Sequence, residues 1–266
     1  MIFDTHTHYD DPVYDEDREA VLEGLAAANV GKICNIGANM QGTRDTVALA
    51  AKYPFVYGTA GVHPDEVGEL NEELFAELRE LAKAPKMVAI GEIGLDYHGF
   101  GVFEDKPDKE TQKIWFRRQL DLAHELNLPV VIHSRNAAED TMEIMEEYHN
   151  NGLIKGAVIH CYSYSKELAI KYLNMGYYIG VGGVLTYDGQ KKLTRVVEML
   201  PMDRLLLETD CPYLTPVPIR KDRERNLSNY LNFVVDKISE LKGLSREEVE
   251  AATWDNAHRF YGIDNE

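Results

Sequence analysis

Two histidines near the start of the chain have a spacing that suits metal binding. His6 and His8 form a His-Thr-His motif at the end of the first predicted strand. Because side chains alternate along a β-strand, both imidazoles are expected on the same face, where they can bind one ion. Asp4 has the same parity and is expected to accept a hydrogen bond from an imidazole N–H.

Four further ionisable residues each follow closely after an apolar run that predicts a strand. They are Glu92, His133, His160 and Asp210. Burying an unpaired charge at the end of a strand costs free energy. These side chains are therefore expected to be placed together around bound cations. Together with the histidine pair, these residues predict a site for two divalent ions in which one carboxylate bridges.

Two such ions favour hydrolytic chemistry. Metal coordination lowers the pKa of water from roughly 15.7 to about 7, and two ions can contact both the attacking and the leaving oxygen of a phosphodiester. Asp210 is the expected proton acceptor, whereas Glu208, on the same face of the strand, is expected to orient a neighbour. The ligand types leave magnesium, manganese and zinc open.

Several residues are candidates for substrate contact, each with a structural alternative. His63, before Pro64, either contacts substrate or makes a structural hydrogen bond. The planar guanidinium of Arg135 suits a phosphate, but a surface ion pair is the alternative. The same choice holds for a basic run later in the chain, namely Arg220, Lys221, Arg223 and Arg225. The glycines of 180–183 favour a plain turn over a phosphate site.

Eight apolar runs must position these residues as strands. They cover residues 1–5, 32–36, 56–60, 87–90, 130–132, 157–159, 177–181 and 204–207. Amphipathic helical patterns separate them, which is typical of a parallel sheet buried on both faces. Because 266 residues is close to the roughly 250 of one such domain, we predict a TIM (β/α)8 barrel. A doubly wound sheet is less favoured, since no G-x-G-x-x-G motif follows the first strand.

Two more helical segments, 231–241 and 247–261, are expected to pack on the barrel, so residues 1–266 are predicted to form one domain.

No secretory signal or membrane span is recognisable, which predicts a cytoplasmic protein without membrane contact. No obligate protein partner is evident. Three widely spaced cysteines predict neither a disulfide framework nor a catalytic thiol.

The net charge of -17 repels nucleic acid and anionic membranes at long range. A polyanionic substrate therefore needs local help from bound cations or from a basic patch. With the metal site and the basic run in place, DNA binding is expected to be weak, salt-sensitive and independent of sequence.

Taken in order, motifs along the whole chain resemble those of the TatD family of metal-dependent deoxyribonucleases, in the amidohydrolase superfamily. These motifs are His6-Thr7-His8, Gly61-Val62-His63-Pro64, Gly91-Glu92-Ile93-Gly94-Leu95-Asp96-Tyr97, His133-Ser134-Arg135, His160-Cys161-Tyr162-Ser163, Glu208-Thr209-Asp210-Cys211-Pro212-Tyr213-Leu214 and Asn256-Ala257-His258-Arg259.

The resemblance implies a TIM barrel with two ions bridged by Glu92. One ion would be bound by His6, His8, Glu92 and Asp210, and the other by Glu92, His133 and His160. Nucleotide removal from 3′ ends of DNA is the implied activity. The main alternative is an amidohydrolase that cleaves a small amide, lactone or ester, although no lysine takes the place of Glu92 as it often does in such enzymes. A metal-stabilised binding protein without turnover is a third hypothesis, and the complete ligand set disfavours it.

Overall fold

The computed structural model describes residues 1–99, 106–222 and 225–264, along which strands and helices alternate. The strands are β1 (Ile2–Thr7), β2 (Val30–Ile36), β3 (Val56–Ala60), β4 (Met87–Asp96), β5 (Val130–Arg135), β6 (Ala157–Ile159), β7 (Tyr178–Val181) and β8 (Leu205–Leu207). The helices are α1 (Arg18–Gly24), α2 (Met40–Lys52), α3 (Glu72–Leu81), α4 (Lys109–Leu126), α5 (Ala138–Asn150), α6 (Lys166–Asn174), α7 (Lys191–Met199), α8 (Leu231–Lys242) and α9 (Arg246–Tyr261).

The order of the strands in the sheet decides the fold class. They follow one another from β1 to β8 in chain order, each followed by a helix. A doubly wound sheet has a reversal in its strand order, which is absent from the eight described strands. The predicted TIM barrel with additional C-terminal helices is therefore confirmed.

Backbone contacts divide the chain into two compact units. The first unit comprises Met1–Asn35 and His160–Glu266, and the second comprises Ile36–Ile159. In the first unit, β1 pairs in parallel with β2, β7 pairs with β8, and Thr7 forms a parallel bridge with Cys211. In the second unit, β3, β4, β5 and β6 pair in parallel in that order. The prediction of one domain over residues 1–266 stays a prediction.

Helices α8 and α9 belong to the first unit, where α9 packs on β1 as expected. The ring of Phe3 lies 6.1 Å from the ring of Trp254 and 5.9 Å from that of Tyr261. The Tyr261 hydroxyl donates a hydrogen bond of 2.7 Å to the Thr5 carbonyl. Helix α9 begins with a capping box in which Ser245 and Glu248 satisfy each other's backbone N–H groups.

The strands β4 and β5 run further than their apolar cores predict, which corrects the expected boundaries. Glu92 and His133 lie inside these strands instead of following them. The pairing continues through Gly94, opposite His133, to Asp96. Gly94 has φ +144°, and a Cβ there would lie 1.9 Å from the His133 carbonyl oxygen, so only glycine permits this close approach.

No helix in the described residues is long and apolar enough to cross a membrane. Within the described residues, no disulfide joins Cys34, Cys161 and Cys211.

Candidate active site

Three predicted metal ligands converge in the first unit. The Nε2 atoms of His6 and His8 are 3.2 Å apart. Asp210 Oδ1 lies 3.6 Å from His6 Nε2 and 3.4 Å from His8 Nε2. We call His6, His8 and Asp210 the His6 cluster. Its three donor atoms form a nearly equilateral triangle.

Backbone hydrogen bonds hold the His6 cluster together. The Asp210 N–H donates to the His6 carbonyl at 2.9 Å, and the His8 N–H donates to the Cys211 carbonyl at 2.9 Å. The end of β1 is therefore fixed against the segment that follows β8, which explains why residues about 200 positions apart in sequence meet. Burial raises the pKa of Asp210, but a hydrogen bond to His8 and the neighbouring imidazoles outweigh it and hold the pKa below its usual range.

His160, which follows β6, lies in the same unit beside His6. The two rings stack with centroids 4.0 Å apart. The Nδ1 atom of His160 is 3.7 Å from Glu208 Oε1, and His6, His160 and Glu208 form a group of suitable size for a metal ion. Glu208 is thus a neighbour of His160, and its expected orienting role stays a prediction.

Glu208 is buried and has a perturbed pKa. Burial raises the pKa of its carboxyl to about 7, against the opposing influence of His160 and of a hydrogen bond from the Cys161 N–H. A Cβ at Gly180 would lie 2.3 Å from Glu208 Oε2. Gly180 is therefore needed to make room for this carboxyl, a role that the sequence did not indicate.

Asp4 is buried, but its contacts differ from the expected one. Its Oδ1 accepts the backbone N–H groups of His6 and Thr209, and its Oδ2 accepts the Thr209 hydroxyl at 2.7 Å. No imidazole N–H is among its described partners, so the predicted hydrogen bond to a histidine ring is wrong. Asp4 instead ties β1 to the segment after β8.

A second group of ligand-type side chains lies in the second unit. Glu92 Oε1 is 2.8 Å from His133 Nδ1 and 3.9 Å from His63 Nε2. The rings of His63 and His133 meet edge to face, with centroids 4.3 Å apart. We call His63, Glu92 and His133 the Glu92 cluster. Their possible ligand atoms lie close enough together to bind one metal ion. His63 is thus next to two predicted ligands.

Two residues of the second unit were missed as site residues by the sequence analysis. Asp96 Oδ2 lies 3.0 Å from His133 Nε2, and Lys106 Nζ lies 2.9 Å from Asp96 Oδ1. Burial raises the pKa of Asp96, but hydrogen bonds to His133 and Lys106 outweigh this and hold the pKa below its usual range. Asp96 has the same strand parity as Glu92 and Gly94, which was the available signal.

Arg135, at the end of β5, is exposed. Within residues 1–99, 106–222 and 225–264, no carboxylate partner is found for its guanidinium. The alternative of a surface ion pair therefore lacks support among these residues.

The segment after β8 carries an exposed aromatic side chain. Tyr213 is 55% exposed, and its N–H donates to the Asp210 carbonyl in a turn. Its hydroxyl donates to Asp11 at 3.0 Å, and its ring lies edge to face with His8 at 6.5 Å between centroids. Burial of the hydroxyl and the bond to Asp11 raise the pKa of Tyr213 to about 12, so the hydroxyl stays a donor at neutral pH.

Two arginines of the basic run that follows β8 have different surroundings. The Arg220 guanidinium lies 3.9 Å above the centre of the Tyr187 ring, and the described part of the chain offers it no carboxylate. Arg225 instead pairs with Asp17 and donates to the Val13 carbonyl. Arg223 lies outside the described residues.

The strand-end imidazoles and carboxylates of this (β/α)8 fold define a metal-dependent hydrolase. Comparison with known proteins supports the same class. The sequence model of the family described as "TatD related DNase" matches residues 3–262. The chain therefore belongs to this family, as its motifs predicted.

Relatives match over nearly their whole length. The chain is 40% identical to the uncharacterized metal-dependent hydrolase YabD of Bacillus subtilis, covering 99% of this chain and 100% of the relative. It is 34% identical to the 3′-5′ ssDNA/RNA exonuclease TatD of Erwinia tasmaniensis, covering 98% and 100%. Among solved structures, the TatD homologue YjjV of Escherichia coli has a TM-score of 0.89 at 31% identity, covering 99% of this chain and 98% of that chain.

Proposed function

We propose that this hydrolase removes nucleotides from the 3′ ends of single-stranded DNA, with two divalent ions bound by the six predicted ligands. Membership of the family supports this, as does the relative whose name describes a 3′-5′ exonuclease on single-stranded DNA and RNA. The substrate, the direction of digestion and the number of ions are parts of the proposal.

The geometry of the His6 cluster is the observation that carries the metal assignment. Ligand bonds of about 2.0 to 2.1 Å in a tetrahedron place neighbouring donor atoms about 3.4 Å apart. The donor atoms of His6, His8 and Asp210 are 3.2, 3.4 and 3.6 Å apart. Three donors at these separations fit one ion.

Glu92 and His133 of the Glu92 cluster are the proposed donors for the other ion. Their carboxylate and imidazole atoms suit magnesium, manganese or zinc. By resemblance to the family, Glu92 is proposed as the bridging ligand, and His133 and His160 as the remaining ligands. When bound, the ions would activate water and stabilise the charge that develops on a phosphodiester.

The protein residues have distinct proposed roles. Asp210 is the proposed proton acceptor, because its carboxylate lies beside the donor atoms of His6 and His8, next to which an ion would hold the attacking water. His63, beside Glu92 and His133, and Arg135, without a carboxylate among the described residues, are proposed to bind the phosphate of the substrate.

The proposal is tested on single-stranded oligonucleotides labelled at either end, with Mg²⁺, Mn²⁺ or Zn²⁺ added to the purified protein. We expect mononucleotides to be released from the 3′ end. Glu92→Gln and Asp210→Asn should each lower the rate at least about 100-fold. Glu147→Gln is the matched control, because Glu147 is half exposed and pairs with Arg117.

Failure to cleave any nucleic acid would refute the nuclease assignment. A panel of lactones, esters and small amides under the same conditions tests the amidohydrolase alternative. We also propose that residues 1–266 act as one domain, because the family match spans residues 3–262. A cytoplasmic location stays a prediction.

A further inference from the structure

His133 is held between two carboxylates in the second unit. One ring nitrogen, Nδ1, lies 2.8 Å from Glu92 Oε1. The other, Nε2, lies 3.0 Å from Asp96 Oδ2. Because Glu92 and Asp96 lie on the same strand with equal parity, the extension of β4 presents both carboxyl groups to the imidazole on β5.

Asp96 is itself fixed by several donors. Its Oδ1 accepts the His98 N–H at 2.7 Å and the Lys106 ammonium at 2.9 Å. Asp96 is 2% exposed, so its carboxylate would be costly to bury without these partners. The carboxylate therefore has a fixed orientation, with Oδ2 left to His133.

Lys106 has too many protein contacts to act as a substrate-binding cation. Its Nζ lies 2.7 Å from Asp65 Oδ1, 2.9 Å from Asp96 Oδ1 and 2.7 Å from the His98 carbonyl. An ammonium has three N–H donors, and three protein acceptors use them all. The Lys106 side chain is only 6% exposed, so a nucleic acid in solution would have little access to it.

We infer that Asp96 is a positioning residue for His133 and that Lys106 fixes Asp96 in that role. A hydrogen bond from His133 Nε2–H to Asp96 selects one imidazole tautomer. In that tautomer the lone pair of Nδ1 is directed toward Glu92, so that His133 and Glu92 could bind the same cation. The inference depends on the proposed function in one respect, namely that His133 is a metal ligand.

An ion pair with only a structural role would have the same static contacts, so the test must separate the two. Positioning acts through His133 and should disappear when His133 is absent. A structural role lowers stability regardless of His133. The comparison therefore needs a double variant as well as single ones.

The full-length protein is stripped with EDTA, and its affinity for Mn²⁺ is measured by titration calorimetry. One Mn²⁺ binding event should be weakened in His133→Ala. In Asp96→Asn the affinity of that same event should fall by roughly 10- to 100-fold, as is usual when a partner of a metal-bound histidine is removed. Lys106→Met should weaken the same event. Lys113→Met is the matched control, because Lys113 pairs with Asp140 at the surface of the same unit.

The double variant Asp96→Asn/His133→Ala should bind Mn²⁺ no more weakly than His133→Ala alone. Full additivity of the two effects in free energy would overturn the inference, as would wild-type Mn²⁺ affinity in Asp96→Asn. If Asp96→Asn does not fold, as judged by circular dichroism, Lys106→Met alone decides through its Mn²⁺ affinity.

Because no nucleic acid enters this assay, the two proposals fail separately. Protein that binds Mn²⁺ with the expected dependence on Asp96 but cleaves no DNA would refute the nuclease and support the positioning role. Protein that cleaves DNA while Asp96→Asn and Lys106→Met bind Mn²⁺ normally would refute the positioning role alone.

Discussion

Replacing Asp4 by Asn should change how the stability of the metal-free protein depends on pH. Asp4 is fully buried, and its carboxylate oxygens accept hydrogen bonds from His6 and Thr209. Burial nevertheless raises the pKa of Asp4 from the ordinary 3.8 to about 6. The folded protein therefore binds a proton at Asp4 more tightly than the unfolded chain does.

The sign of the effect follows from proton linkage. Between pH 4 and 6, Asp4 is ionised in the unfolded chain but still protonated in the folded protein. The free energy of unfolding must therefore fall as the pH rises through this window, and the loss from Asp4 is complete above about pH 6.

The magnitude follows from the two pKa values. A difference between about 6 and 3.8 corresponds to about 3 kcal/mol, at roughly 1.36 kcal/mol per pH unit. Asn at position 4 stays neutral and keeps nearly the same shape. Its oxygen can still accept the backbone N–H groups of His6 and Thr209, so most of the local structure should be retained.

The assay is guanidinium unfolding in EDTA at pH 4, 5, 6 and 7, followed by circular dichroism. Relative to wild type, Asp4→Asn should gain about 2 kcal/mol in its free energy of unfolding between pH 4 and 7, because the wild type has already lost part of the full difference at pH 4, just above the ordinary pKa of 3.8. Glu208, whose pKa is raised to about 7, contributes to both proteins, so its effect largely cancels in the difference. Asp203→Asn, at an exposed position, serves as the control.

A difference between the two proteins that is constant from pH 4 to 7 would refute this reasoning, as would one of opposite sign. Added Mn²⁺ should reduce the difference, because a nearby cation favours the ionised carboxylate.

Two further predictions concern substrate binding by the first unit. If Tyr213 stacks on the terminal nucleobase, Tyr213→Ala should lose a preference of roughly 5- to 150-fold for a 3′ end with a base over an abasic end, while Tyr213→Phe keeps it. Undiminished preference in Tyr213→Ala would contradict this. If Arg220 contacts a phosphate, Arg220→Gln should make the plot of log affinity against log salt shallower by about 0.7, whereas Arg204→Gln, which removes a cation paired with Asp203, should not. An unchanged slope for Arg220→Gln would refute the phosphate contact.

The His6 cluster was predictable in part because strand parity is a local property. The period of two placed His6 and His8 on one face, and their Nε2 atoms are indeed 3.2 Å apart. The contact with Asp210 depended on chain topology, since the end of β1 and the segment after β8 pair through backbone hydrogen bonds. The predicted barrel supplied that topology.

The environment of His133 was not predictable, for two physical reasons. The apolar run before Glu92 stops at Ile90, so hydrophobicity ended the strand too early, although backbone pairing continues beyond it. Lys106 reaches Asp96 from an irregular segment, where no periodicity links residue number to direction. Contacts of this kind depend on a loop conformation that local sequence patterns do not encode.

The net charge of -17 bears on the kind of nucleic acid binding that is possible. Many cations are occupied by carboxylates, as Arg225 is by Asp17 and Lys113 by Asp140. Arg135 and Arg220 have no carboxylate partner within the described residues, and two divalent ions would add four positive charges at the proposed site. These arginines and the proposed ions would offer positive charge for a few phosphates in spite of the negative net charge. A small number of phosphate contacts would be sufficient for one end of a single strand, which is the substrate proposed above.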